Sequence, residues 1–150
     1  MKKNNLFITG SSGFLGTNFL KVVKDQNYNI SSYDVIENTI VNENLNHVIG
    51  NILDYELLVK SMQGSDFVYH FASLADIDES FRYPEKYLQT NILGTLNVLK
   101  ACIECNVKKI IFSSSVYVTS EYRSFYRVSK QACEKLIEEY YKNYNLKFTI

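Results

Sequence analysis

No segment of this 150-residue sequence approaches the roughly 18 consecutive apolar residues that cross a bilayer. The basic start, Met1-Lys2-Lys3, is followed only by Leu6-Phe7-Ile8 before Thr9 and Gly10, far short of the apolar run of a secretory signal. A cytoplasmic protein with no membrane partner is therefore expected. Charge of one sign is missing too. Sixteen Lys and Arg balance sixteen Asp and Glu, so nucleic acid is not an expected partner. There is no internal repeat and no low-complexity linker. Cysteine is scarce, at three. Cys102-x-x-Cys105 has redox or zinc spacing, but it falls late in an apolar helical pattern, with no second ligand pair nearby. No metal site is expected, and the thiols read as core or helix-surface groups. What remains as a partner is a small molecule or another protein.

What is present is one domain's worth of chain with 46% hydrophobic residues, enough to bury about 68–70% of its unfolded surface. Residues 3–9 read as a short buried strand. Residues 14–27 carry Phe14, Phe19, Leu20, Val22 and Val23 at helical spacing. A second strand is expected over 29–35 and a third around 47–49, after a polar stretch at 37–46. Asp54 can cap a short helix that Gly64 stops. Residues 66–72, rich in aromatic and β-branched types, form a fourth strand. Pro84 suits the first turn of a long helix with Leu88, Ile92, Leu96, Leu99 and Ile103 on one side and Asn106 at its end. A fifth strand follows over 107–113, a second long helix over 126–144, and a sixth strand from 146. This alternation implies an α/β fold, a doubly wound parallel sheet of about six strands with helices on both faces. Residues 1–150 are read as a single domain that stops inside the sixth strand, with a C-terminal substrate region absent.

Between the first strand and the first helix stands Thr9-Gly10-Ser11-Ser12-Gly13-Phe14-Leu15-Gly16. In such a loop Gly10 permits the tight turn, Gly13 lets backbone amides approach a pyrophosphate, and Gly16 allows helix and strand to pack closely. The helix N-terminus supplies free N–H groups and a favourable dipole for the phosphates. A plain strand-to-helix turn is the bland alternative. Asp34, closing the second strand at about the expected distance of 20 residues, could accept hydrogen bonds from the adenosine ribose and repel a 2′-phosphate. That favours NAD over NADP. The competing reading is a solvated aspartate at a strand end.

The GxxGxxG spacing behind Thr9 resembles the extended branch of the short-chain dehydrogenase/reductase superfamily, and other segments agree. Val68-Tyr69-His70-Phe71-Ala72-Ser73 resembles the end of that family's fourth strand, which implies that Phe71, Ala72 and Ser73 line the diphosphate and nicotinamide-ribose side of the cofactor. Ser80, Pro84, Tyr87, Asn91 and Gly94-Thr95-Leu96-Asn97-Val98-Leu99 resemble a helix of nucleotide-sugar epimerases and dehydratases. Phe112-Ser113-Ser114-Ser115 resembles the strand end that supplies a catalytic serine, and Tyr126-Arg127-Val128-Ser129-Lys130 the Y-x-x-x-K element. The resemblance thus implies cofactor contacts at Gly10, Ser12, Gly13, Phe14, Leu15, Gly16, Asp34, Asn51, Ile52, Phe71, Ala72, Ser73, Asn91, Tyr126 and Lys130. It implies catalytic roles for Ser115, Tyr126 and Lys130, with Asn91 bracing nearby backbone.

Those roles make chemical sense. A tyrosine and a lysine four apart share a helix face, so the ammonium lowers the phenol toward working pH and Tyr126 can exchange a proton with a sugar hydroxyl. Two countings compete for the serine: forward from Val107-Lys108 selects Ser115, backward from Val116-Tyr117 selects Ser113. Three departures from the family stand out. The segment between Ser115 and Tyr126 is short, Asn51 stands where an acidic residue faces adenine, and Val116 and Tyr117 stand where 4,6-dehydratases carry an Asp-Glu pair. The expected function is an NAD-dependent epimerase of a nucleotide-activated sugar, working through a keto intermediate. A ketoreductase or dehydratase, or a non-catalytic dinucleotide-binding domain, is the alternative. Related enzymes pair the two long helices across a two-fold axis, which implies a homodimer through the helices from Pro84 and Tyr126.

Overall fold

The computed structural model describes residues 3–40 and 42–150; Met1 and Lys2 of the basic start and Val41 of the polar stretch lie outside the described residues. β1 (Asn4–Thr9) runs through the middle of the sheet, with Leu6, Phe7 and Ile8 all buried. It pairs in parallel with β2 (Tyr28–Asp34) on one side and β4 (Phe67–His70) on the other. β3 (Leu45–Ile49) extends the sheet beyond β2, while β5 (Lys109–Phe112) and β6 (Lys147–Thr149) extend it beyond β4. The order β3-β2-β1-β4-β5-β6 is that of a Rossmann fold. Because the chain moves outward from β1 in both directions, a crevice opens past the carboxyl ends of β1 and β4, where such folds take ligands.

Successive side chains of β1 point to opposite faces. Ile8 joins Leu20, Val23 and Ile30 in one core layer. Phe7 joins Tyr33, Val68, Leu99, Ile110 and Ile137 in the other, larger one. Helix α1 (Phe14–Val23) is shorter than the apolar spacing suggests. Its core stripe is Gly16, Leu20 and Val23, whereas Phe14 and Val22 fall off that stripe and are 84% and 65% exposed. Helix α2 (Tyr55–Met62) starts as expected on Asp54, whose carboxylate accepts from the Leu57 amide at 3.1 Å. Gly64 follows it at φ +74.

Two short elements carry no apolar periodicity and were not foreseen. Helix α3 (Ile77–Arg82) is nucleated by Asp76, which accepts from the Glu79 amide at 2.8 Å. A 3₁₀ turn, Val116–Thr119, is capped by Ser115. The helix expected from Pro84 is not uniform. It comprises α4 (Pro84–Tyr87), a π-helical stretch Leu88–Leu93, and α5 (Gly94–Glu104). Of the apolar series read from the sequence only Leu99 is fully buried, and Leu88, Ile92, Leu96 and Ile103 are half-buried. The line that faces inward is Tyr87, Asn91, Thr95, Val98, Leu99 and Cys102. Asn106 ends the element at φ 55. Helix α6 (Phe125–Tyr144) is capped by Ser124, which accepts from the Arg127 amide at 3.0 Å, and ends on Asn145 in the left-handed region.

Candidate active site

The crevice is built on the turn after β1. Gly10 sits at φ +67, and a Cβ there would collide with the main chain of Phe71 and Ala72, so only glycine fits. Gly13 meets nothing closer than the Gly10 carbonyl at 3.4 Å and leaves its face open. A Cβ on Gly16 would strike the Gly10 carbonyl and Ser11. The close packing that Gly16 permits is therefore of the helix on its own loop rather than on the strand. The Asp34 carboxylate accepts from the Ser12 amide at 2.8 Å, and the Ser12 hydroxyl donates to the Ile36 carbonyl at 3.2 Å, which ties the glycine loop to the end of β2. Ser11 Oγ is buried there with no hydrogen-bond partner among the described residues.

One cleft of 390 Å³ runs from Gly10 over Asp34, Val35, Gly50, Asn51 and Ile52 to Ala72, Ser73, Leu74, Lys86 and Thr90. Its floor is fixed by Tyr33, whose hydroxyl donates to the Asn51 carbonyl at 3.0 Å. Burial, aided by the Asp54 charge, pushes this phenol up to about 12, so it stays a donor. A second cleft of 280 Å³ shares Gly10 and Ser73 with the first. It continues along Gly13, Phe14, Leu15, Phe71 and Ala75 to Ser113, Ser114, Tyr126 and Lys130.

At that far end Lys130 is only 2% exposed. Its ammonium donates to the Ser113 carbonyl at 2.6 Å and lies 4.1 Å from the centre of the Phe112 ring. Burial pulls it down to about 8, with Cys133 and Glu134 opposing the fall. Tyr126, one turn earlier on α6, is buried beside it. The three serines after β5 separate by role. Ser113 Oγ lines the cleft and makes a long contact to the His70 carbonyl, 3.4 Å. Ser114 Oγ donates to Glu134. Ser115 Oγ accepts from the Tyr117 amide at 3.3 Å and is absent from the cleft lining. Of the two countings open in the sequence, the structure brings Ser113, not Ser115, together with Tyr126 and Lys130.

Behind the crevice His70 is fully enclosed between the hydroxyls of Thr9 (2.6 Å) and Thr95 (2.9 Å). Burial, with Lys130 nearby, lowers it to about 3, so the ring is neutral. Asn91 clasps the main chain of Leu74 from both ends. Its Oδ1 accepts from the Leu74 amide (2.8 Å), while Nδ2 donates to the Leu74 carbonyl (3.0 Å) and to Ser129 Oγ (2.9 Å). Asn91, Ser12 and Gly16 thus shape the crevice without lining it. Lys86 and Thr90, which do line it, escaped the sequence reading. Their signal was a four-residue spacing on the helix that carries Asn91. The cysteines are free and buried, and among the described residues no metal-ligand group and no membrane-length apolar helix exists.

Residues 6–150 match the family described as "NAD dependent epimerase/dehydratase family". The chain belongs to it. UDP-glucose 4-epimerase of Pisum sativum is 30% identical over 129 residues, which cover 75% of this chain and 37% of the relative. A UDP-N-acetylglucosamine 4,6-dehydratase (inverting) of Campylobacter jejuni is 33% identical over 142 residues, 88% of this chain and 42% of the relative. Among solved structures, UDP-glucose 4-epimerase from Brucella ovis in complex with NAD superposes with a TM-score of 0.86 at 29% identity, covering 97% of this chain and 50% of that one. The chain therefore spans well under half the length of these curated relatives. Family membership makes NAD the cofactor. The residues fit it: an open Gly13 face, an unpartnered Ser11 hydroxyl at the loop, and a carboxylate at the end of β2.

Proposed function

We propose that this chain forms the NAD-binding and proton-transferring part of an epimerase acting on a nucleotide-activated sugar. The observation that carries this is the meeting of Ser113, Tyr126 and Lys130 at one end of a crevice whose other end is the glycine loop with Asp34. Asp34 would hold the adenosine ribose, Asn51 and Ile52 the adenine edge, and Phe71, Ala72 and Ser73 the diphosphate and nicotinamide side. When bound, NAD supplies the acceptor and donor of the hydrogen on the sugar carbon. Tyr126 takes the proton of the sugar hydroxyl at its phenolic oxygen and returns it to the keto oxygen. Lys130 stabilises the phenolate by its charge, and Ser113 donates a hydrogen bond to the reacting oxygen.

Val116 and Tyr117 occupy the turn after the serines. No carboxylate stands there to remove a second proton, which favours epimerisation over dehydration. A cytoplasmic location and a homodimer through α4, α5 and α6 belong to the same proposal. Exposed Val128 on α6 and Leu93 in the π-helical stretch support the dimer. The deciding experiment incubates the protein with NAD and a panel of nucleotide sugars. Interconversion of epimers without net NADH supports the proposal. NAD binding with no turnover would instead mark a binding domain.

A further inference from the structure

Lys130 is the only charged residue lining the catalytic end of the crevice among the described residues. A carboxylate on the same helix acts on it through space rather than by a direct ion pair. Glu134 follows Lys130 by four positions on α6, so the two share a helix face. Its Oε1 accepts the hydroxyl of Ser114, a residue that lines the cleft. The Glu134 carboxylate is thus tied to the crevice wall.

Resting on the reading of Tyr126 and Lys130 as the reacting pair, we propose that Glu134 is a positioning residue of the active site: it anchors Ser114 in the wall of the crevice and is the counter-charge of the Lys130 ammonium. The groups around Lys130 leave this role to Glu134 alone. On α6 its neighbours are Tyr126, Cys133 and Glu134. From β4 comes His70, which is neutral, and from the end of β5 come the Ser113 carbonyl and the Phe112 ring. Burial raises the Cys133 thiol, so it carries no charge near neutral pH. Burial also pulls Lys130 toward losing its proton, and a nearby negative charge opposes that loss. A lysine that discharged too early would cease to stabilise the Tyr126 phenolate.

The test separates charge from hydrogen bond. Glu134→Gln keeps an acceptor oxygen for Ser114 and removes the charge; Ser114→Ala removes the bond and keeps the charge. Lysine side-chain NMR titration of the NAD-free chain, with Lys130 assigned by Lys130→Arg, reads the charge directly. The Lys130 midpoint should fall by about one pH unit in Glu134→Gln and stay in place in Ser114→Ala. In turnover assays the basic limb of the pH profile should move down by the same amount. An unmoved Lys130 midpoint in Glu134→Gln overturns the proposal, as does an equal shift in Ser114→Ala. Should Glu134→Gln not fold, Glu134→Asp, which keeps the charge, must preserve the midpoint. The parent reading fails separately, by the unaltered chain not binding NAD in calorimetry.

Discussion

The Lys130 ammonium and the Ser113 carbonyl, 2.6 Å apart, join the helix that carries Tyr126 to the strand end that carries the serines. Two substitutions resolve what this joint does. Tyr126→Phe keeps the ring's packing and removes only the proton-transfer group, so turnover should fall by about 10² to 10⁴ with NAD affinity scarcely changed. Lys130→Ala should damage turnover and NAD affinity together. It should also destabilise the fold by roughly 1–3 kcal/mol through the orphaned Ser113 carbonyl. Turnover assays, calorimetric NAD titration and urea unfolding check these outcomes.

Asp34 should set cofactor choice. A 2′-phosphate would face its carboxylate and break a charge-assisted hydrogen bond worth roughly 1.5–3 kcal/mol. NAD is expected to bind about tenfold to a hundredfold more tightly than NADP. Equal affinities by calorimetry would remove Asp34 from the site.

His70 predicts an acid weakness. Its folded-state value is pushed down to about 3 from an ordinary value near 6.5. The unfolded chain therefore binds a proton that the folded chain refuses. The stability tied to His70 is complete above about pH 6.5 and is lost as the pH falls below it, by up to about 1.4 kcal/mol per unit. Urea unfolding between pH 7 and 5, above most carboxylate titration, should show this slope. His70→Gln should flatten it.

Two glycines with the same backbone sign should respond differently. Gly10 and Gly64 both have positive φ, but a Cβ at Gly10 meets the main chain of Ala72, whereas nothing lies within 4 Å of one at Gly64. Gly64→Ala should cost about 1 kcal/mol of stability and leave NAD binding intact. Gly10→Ala should cost more and abolish NAD binding. Similar behaviour of the two variants would mean that the turn after β1 tolerates displacement.

Val128, 49% exposed on α6, and Leu93, 50% exposed in the π-helical stretch, should lie in a subunit interface. Light scattering at tens of micromolar is expected to give a dimer, and Val128→Glu a monomer. A monomeric unaltered chain would show that this surface faces solvent.

The alternation of strands and helices and the glycine loop were legible because each rests on local chemistry: β-branched and aromatic runs, capping side chains such as Asp54, and glycines at positions that exclude a Cβ. The roles of the serines were not. Three identical residues in a row have identical propensities, and only the capping of Val116–Thr119 by Ser115 and the pull of Glu134 on Ser114 tell them apart. The core stripe of the helix after Pro84 was not legible for a related reason. Its inward line includes the polar Asn91 and Thr95, whose burial depends on partners in Leu74, Ser129 and His70 that lie far away in sequence. Helix α3 was missed because its start depends on a single aspartate cap rather than on any apolar repeat.

The π-helical stretch Leu88–Leu93 changes how this gene can tolerate length variation. An ordinary helix advances 3.6 residues per turn, so positions four apart drift by about 40° at each step. Wider turns slow that drift, and Tyr87, Asn91 and Thr95 stay aligned on one inward line. They also turn the Asn91 carbonyl toward another helix, where it accepts from the Cys133 thiol at 3.1 Å. Deleting one residue between 88 and 93 would restore an unbroken α-helix with good local geometry and nonetheless rotate everything after it by about 100°. Thr95 would leave His70, and the Leu74 clasp would lose its angle. Across descendants of this sequence, indels should therefore accumulate in the polar stretch before β3 and be purged from this one helix.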